Sequence, residues 1–376
     1  MNVAGSAGIM KNTYRLTLEE KVGQLFCLGF QGFEPDPETR DVLEFVRPGG
    51  FLLYQRNIGG FDQIYELTSG LREMFSVPPL LAIDHEGGRV DRLKQIFGPI
   101  PSMPELASSG MAQLRIGARI IAAELEATGF NVDFAPVLDL RKPGSIIADR
   151  GLSANPEEVA RLAGAFIEEL SKRGIVACAK HFPGLGGAAA DPHFTLPRIE
   201  KNKRQLQLED VMPFASVFET CGMIMMSHAH YPGLGDEKAV PASISARVVE
   251  GFLRKKLGYK GVIITDDLTM GAITSFGLTP ELFLRAFEAG NDVLLFSQCT
   301  PLVEDAFKTI LKAVRRSAAL RERLDQSVGR ILILKDRAEL RPIRYRTHLK
   351  ARISRQADKL RNSLEPAAAV VSARPY

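Results

Sequence analysis

The sequence predicts a (β/α)₈ TIM barrel, on three observations. Eight short apolar runs recur along the 376 residues, helix-like stretches alternate with them, and acidic, basic and His residues gather just after them. Strand–helix alternation implies parallel strands joined by right-handed crossovers, and eight such units are the number that closes a barrel. The competing architecture, an open doubly wound sheet, would carry Gly-x-Gly-x-x-Gly after its first strand, and none stands there.

The apolar runs are 25–30, 49–54, 80–84, 132–138, 175–180, 223–227, 262–265 and 292–296. The seventh sits in Gly261-Val262-Ile263-Ile264-Thr265-Asp266-Asp267. Its β-branched residues suit a strand buried on both faces. It runs straight into two carboxylates, which are costly there unless they have partners or work. Alternation along a strand sends neighbours to opposite sides, so only one of Asp266 and Asp267 is expected in a given pocket.

Helix signals fill the intervals. Asn155-Pro156-Glu157-Glu158 places an N-cap and a first-turn Pro before a helix reaching Leu170. Thr279-Pro280-Glu281 opens another, 245–257 is closed by Gly258, and Gly129, Gly174 and Gly290 stand where helices should stop. Two closing helices are expected over 302–314 and 320–334, which gives a barrel domain over 14–340. Beyond it the pattern fades: Pro342, Pro366 and Pro375 suggest that 341–376 is a frayed basic tail rather than a second domain, dispensable for folding.

Composition narrows the class. Apolar content of 45% and charged content of 24% are ordinary for a soluble globular chain. No run of 18 apolar residues exists to span a membrane, and residues 1–14 lack the pattern of a signal peptide. The four cysteines are scattered with no Cys-x-x-Cys pair, which fits a reducing, cytoplasmic setting. The net charge of +4 is unevenly spread: residues 341–376 hold nine Lys/Arg against two Asp/Glu, leaving residues 1–340 at about −3. A body of that charge is no nucleic-acid surface.

In a TIM barrel, chemistry sits at the C-terminal ends of the strands. There the third run presents Asp84-His85-Glu86-Gly87-Gly88-Arg89, and the fourth Asp139 with Arg150 in its loop. The fifth presents Lys180-His181 and a loop to Asp191-Pro192-His193, the sixth His228 and His230, and the seventh Asp266. Five of the six His residues thus fall at one rim. Gly187 to Ala190 are four small residues that cannot anchor their loop by packing, so it is expected to move and close over a ligand. Asp191 and His193, two apart, suit a carboxylate-oriented imidazole that gives and takes a proton near neutrality. His228-Ala229-His230 resembles a metal-binding pair but lacks a carboxylate-rich ligand set, and neither metal nor other cofactor is expected.

Four segments together resemble the signature motifs of glycoside hydrolase family 3: Lys180-His181-Phe182-Pro183-Gly184, Asp191-x-His193, Thr265-Asp266-Asp267-Leu268-Thr269-Met270 and Asp84-x-Glu86-Gly87-Gly88-Arg89. The chain is most similar to the family's single-domain bacterial β-N-acetylglucosaminidases of cell-wall recycling. Asn131-Val132-Asp133 through Asp139, Leu16 through Leu25, and Pro241-Ala242-Ser243 match as well, so the likeness covers about 14–337 in order. It implies a small carbohydrate substrate and a retaining mechanism through a covalent glycosyl-enzyme. Carried over by position, Asp266 resembles the family's nucleophile, His193 its acid/base and Asp191 the partner of His193. Asp84, Arg150, Lys180 and His181 resemble the sugar-binding set. Two positions depart: Leu185 stands where the family usually has His, and Pro192 where it has Ser. Related activities with the same residues are those of a phosphorylase or a β-glucosidase; a sugar-binding barrel without catalysis would not need Asp266, Asp191 and His193 together.

Overall fold

The computed structural model describes residues 15–147, 149–188, 190–192, 194–236, 238–338 and 347–371. Each expected apolar run holds one strand: β1 Phe26–Leu28, β2 Gly50–Leu53, β3 Leu80–Ile83, β4 Val132–Asp133, β5 Val176–Phe182, β6 Met223–Met226, β7 Val262–Asp267 and β8 Val293–Phe296. They pair in parallel in sequence order, and β8 closes on β1 through Cys27 opposite Leu295. The barrel is therefore the predicted (β/α)₈ fold. Its strands are buried along nearly their whole length, as strands under an outer layer of helices must be.

Two differences from the expected strands matter. The fourth run is a strand only at its start, because Pro136 has no N–H to give a ladder, and Val137 rejoins β5 through a single bridge to Lys180. β5 and β7 run further than expected, to Phe182 and Asp267, and each shifts register near its end: β5 against β6 between Ala179 and Phe182, β7 against β8 between Ile264 and Asp267. Such bulges re-aim side chains.

The helix signals act as read. The Asn155 side chain accepts from the Glu157 and Glu158 N–H groups at the start of Pro156–Ser171, and Gly129 and Gly174 adopt positive φ where helices end. The segment expected as a helix over 245–257 is one, wound with wider turns over Arg247–Lys256. Among the described residues no helix is long and apolar enough to cross a membrane.

The frayed-tail expectation is corrected. Thr347–Val371 is a helix lying on the helix Met111–Thr128 and on the turn Lys94–Phe97. Ile353, Ala357 and Leu360, spaced by four and three, are buried and join the barrel's hydrophobic cluster, while Lys350, Arg352, Arg355 and Lys359 stay exposed. One narrow apolar stripe among many charges is enough to dock a helix, and the surrounding charge and prolines hide it from a composition-based reading.

At the opposite pole of the barrel, Lys335 is buried, its ammonium donating to Gln24 Oε1 at 2.6 Å. Burial pushes its pKa down to about 7. Between pH 7 and the usual value of 10.5 the unfolded chain alone keeps that proton, so stability rises with pH across this window and the full penalty is felt below it. Lys335→Met is expected to stabilise the fold by about 1–4 kcal/mol at pH 7 and to flatten that rise. Chemical denaturation at pH 6.5 and 9.5 measures both effects.

Candidate active site

One cavity opens at the C-terminal ends of the strands, and Tyr54, Asp84, Glu86, Arg92, Arg150, Lys180, His181, Asp191, Asp266 and Asp267 line it. The β3 loop turns sharply through Gly87 and Gly88, both at positive φ, where a Cβ would strike Pro101 O or Ser102 Cβ at 2.7 Å. That turn sends Asp84 and Glu86 to the same cation. Lys180 Nζ, at the end of β5, donates to Asp84 Oδ1 at 2.6 Å and lies 2.7 Å from Glu86 Oε1. Arg150 grips the same Glu86 with two bonds, Nε to Oε2 at 2.8 Å and Nη2 to Oε1 at 2.7 Å. Burial disfavours both charges of the Lys180–Glu86 pair, but opposite charges outweigh it: Lys180 stays above the usual lysine range and Glu86 falls well below the usual carboxylate range. Both are fixed as ions.

Next to Lys180, His181 also lines the cavity, because the β5 bulge breaks the alternation that would have sent it outward. Asp139, fully buried, takes the His181 Nδ1–H at 2.7 Å, the His181 N–H at 3.1 Å and the Leu185 N–H at 2.5 Å. It sets the imidazole tautomer and leaves Nε2 as the ring's acceptor. Leu185 itself lines the cavity with an apolar side chain.

The bulge at the end of β7 overturns the expectation that only one of Asp266 and Asp267 reaches the pocket, since both line it. Their surroundings separate them. Asp267 accepts from Thr269 N–H (3.0 Å), Thr269 Oγ1 (2.8 Å) and Ser297 N–H (3.1 Å), so it caps the turn. Among the described residues the Asp266 carboxylate accepts one hydrogen bond, from the Asp267 N–H at 2.8 Å. Burial raises its pKa, but His228, His181, that N–H bond and Lys180 together hold it below the usual aspartate range. The bond and Lys180 persist at neutral pH, whereas burial keeps His228 below its usual value and hence neutral.

Of the five His residues expected at the rim, His181 is the one in the cavity wall among the described residues. His228 donates from Nε2 to Asp267 O at 2.8 Å and takes the Ser243 hydroxyl at Nδ1 at 2.7 Å, so it braces the β7 turn with both nitrogens. His230 sits against the Val240 backbone at 3.3 Å. His85 points away from the cavity, to Glu124 Oε2 at 2.6 Å. His193 lies outside the described residues. The expectation that small residues leave its loop without packing is corrected: Leu185 and Ala188 are buried in the barrel's hydrophobic cluster, Gly186 sits so close to Leu140 that a Cβ would meet its carbonyl O at 2.3 Å, and Pro192 O takes the Ala272 N–H at 3.0 Å after β7. Asp191 lines the cavity.

Sequence reasoning missed Arg92. It lines the cavity, makes no hydrogen bond or ion pair among the described residues, and its buried Nε lacks a partner. A guanidinium left open beside sugar-sized space is a ready donor to hydroxyl or carboxylate groups. The available signal was the pair Arg89 and Arg92, basic side chains three residues apart straight after the Gly87–Gly88 turn.

Comparisons with known proteins bear on the family and the fold. The family model described as the glycosyl hydrolase family 3 N terminal domain matches residues 17–334. A β-hexosaminidase from Tolumonas auensis is 37% identical over 273 residues, 71% of this chain and 81% of the relative. A glycoside hydrolase family 3 β-N-acetylglucosaminidase from Paenibacillus sp. superposes with a TM-score of 0.83 at 33% identity, over 91% of this chain and 69% of that one. The native NagZ of Neisseria gonorrhoeae superposes with a TM-score of 0.69 at 30% identity, over 81% of this chain and 96% of that one.

Proposed function

The chain belongs to glycosyl hydrolase family 3, and from that premise we propose that this glycoside hydrolase is a retaining exo-β-N-acetylglucosaminidase. Asp266 is its nucleophile and His193, oriented by Asp191, its acid/base. The observation that carries the assignment is the contrast among the cavity carboxylates that follow β3 and end β7. Asp84 and Glu86 are bound to Lys180, and Asp267 is bound to Thr269 and Ser297, while Asp266 is ionised with no side-chain partner among the described residues. A carboxylate that is ionised and bound to no cation keeps its nucleophilicity undiminished.

In the first step an Asp266 oxygen attacks the anomeric carbon as its bond to the leaving oxygen breaks, and His193 passes its proton to that oxygen. The transition state resembles an oxocarbenium ion. In the second step His193 takes a proton from water, which displaces Asp266 and releases the sugar with its starting β configuration. Asp84 accepts from sugar hydroxyls, and Lys180, Arg150, Arg92 and His181 offer them partners. Glu86, an ion between two cations, and His228, with both nitrogens engaged, are poor proton donors, which leaves that task to the loop. The natural substrates in this proposal are peptidoglycan-derived or related glycans, met in the cytoplasm, where the four free cysteines stay reduced.

The test is turnover of p-nitrophenyl N-acetyl-β-glucosaminide in phosphate buffer, followed by NMR. The expected first product is free β-N-acetylglucosamine. The α anomer appearing first would exclude a retaining mechanism. A sugar 1-phosphate would show that phosphate replaces water, and faster turnover of the glucoside would move the substrate class.

A further inference from the structure

The helix Thr347–Val371 lies beyond the stretch that matches the family, and it rests on the back of the β3 loop. Arg361 makes the contact. Its Nη1 donates to Pro99 O at 2.6 Å, and its guanidinium crosses Gly98 so closely that a Cβ there would stand 3.1 Å from both Nη atoms. The next residue, Ile100, gives its carbonyl to the Gly88 N–H at 2.9 Å and its N–H to Asp91 Oδ2 at 2.8 Å. Gly88 and Asp91 flank the turn whose neighbours Glu86 and Arg92 line the cavity, and the Glu86 N–H closes that turn on Val90 O at 2.8 Å. Hydrogen bonds at Pro99 and Ile100 thus connect Arg361 to the loop that holds Lys180 and Arg150 in register.

A second route runs beneath the first. Arg361 is near enough to act electrostatically on buried Glu124, which binds His85 Nε2 at 2.6 Å, and His85 stands between Asp84 and Glu86 in the chain. The His85 N–H is itself tied to Asp133 Oδ1 at 3.1 Å, and its Nδ1 faces Asp91 Oδ1 at 3.6 Å. Arg361 therefore meets the loop by a hydrogen-bonded path and by a charged one, both ending on the residues beside Asp84 and Glu86.

We propose that Arg361 is a positioning residue, and that the C-terminal helix braces the sugar-binding β3 loop from behind. The brace has a catalytic consequence only if that loop binds sugar, as proposed above. Loop position is felt in substrate binding because Glu86 orders two cations at once, and couplings through packed networks typically change affinity by about 2–30-fold.

The experiment uses the full chain and three variants: Arg361→Ala, Arg361→Lys and Ile353→Ala, the last of which loosens the same helix without touching Pro99. Expected for Arg361→Ala is a KM for the aryl glycoside raised about 3–30-fold with kcat changed much less, together with faster amide exchange at Gly88 and Ile100 while strand amides keep their protection. Arg361→Lys should recover part of the KM. Ile353→Ala should lower Tm and leave KM within about twofold. If Arg361→Ala lowers Tm with KM and Gly88 exchange unchanged, or if both Ala variants shift KM alike, the helix is a stability element and the brace is refuted. Wild-type inactivity on the glycoside would count against the proposed function instead, and the exchange at Gly88 would still decide the brace.

Discussion

Asp266→Asn is expected to lower kcat on the order of 10⁴-fold or more while leaving the fold intact. The amide keeps the size of the carboxylate and can still accept the Asp267 N–H, but it has no anionic lone pair to form the glycosyl ester. A mechanism-based 5-fluoro sugar should become attached to the peptide carrying Asp266. Asp267 is the necessary control, since it lines the same cavity. Its bonds to Thr269 and Ser297 hold the turn after β7 against the end of β8, so Asp267→Asn is expected to show chiefly in Tm. A label found on Asp267, or near wild-type turnover by the Asp266 variant, would refute the nucleophile assignment.

His193→Ala should separate substrates by their leaving groups. A sugar alkoxide needs a proton to depart, whereas p-nitrophenolate hardly does, and general acid–base catalysis is worth about 10²–10⁴-fold. Hydrolysis of a natural β-linked disaccharide is expected to fall by that factor, while glycosyl transfer from p-nitrophenyl N-acetyl-β-glucosaminide suffers much less. The covalent intermediate should then accumulate, because the base that activates water is also gone. Azide, which attacks without a base, should restore turnover and yield a β-glycosyl azide. Asp191→Asn should give a milder version of the same pattern, with the imidazole present but less well oriented. Equal losses on both substrates with no effect of azide would make His193 a binding or structural residue.

The barrel was legible because its signals are local. Strand runs, caps and helix-stopping glycines are set by neighbours within one or two turns, and eight repeats of one unit admit few closures. The family likeness was legible too, carried by contiguous motifs such as Lys180-His181-Phe182-Pro183-Gly184. What the sequence could not reveal depends on contacts across long separations or on register. Alternation forbade Asp266 and Asp267 from sharing a pocket, and the shift of β7 against β8 allows it. Five His residues at strand ends looked equivalent, but Glu124, 39 residues on, draws His85 away, and Ser243 and Asp267 engage His228.

Arg92 reads as one more surface cation until the tertiary structure shows an unpartnered guanidinium in the cavity wall. The C-terminal helix reads as solvated charge until Ile353, Ala357 and Leu360 meet the helix Met111–Thr128. By itself, then, the sequence determined the fold, the family and the rim on which the polar residues stand, since periodicity and contiguous motifs encode those. Which of them share the cavity, and which are spent holding others in place, was decided by the tertiary structure, because bulges and ion pairs between strands have no signature within either segment.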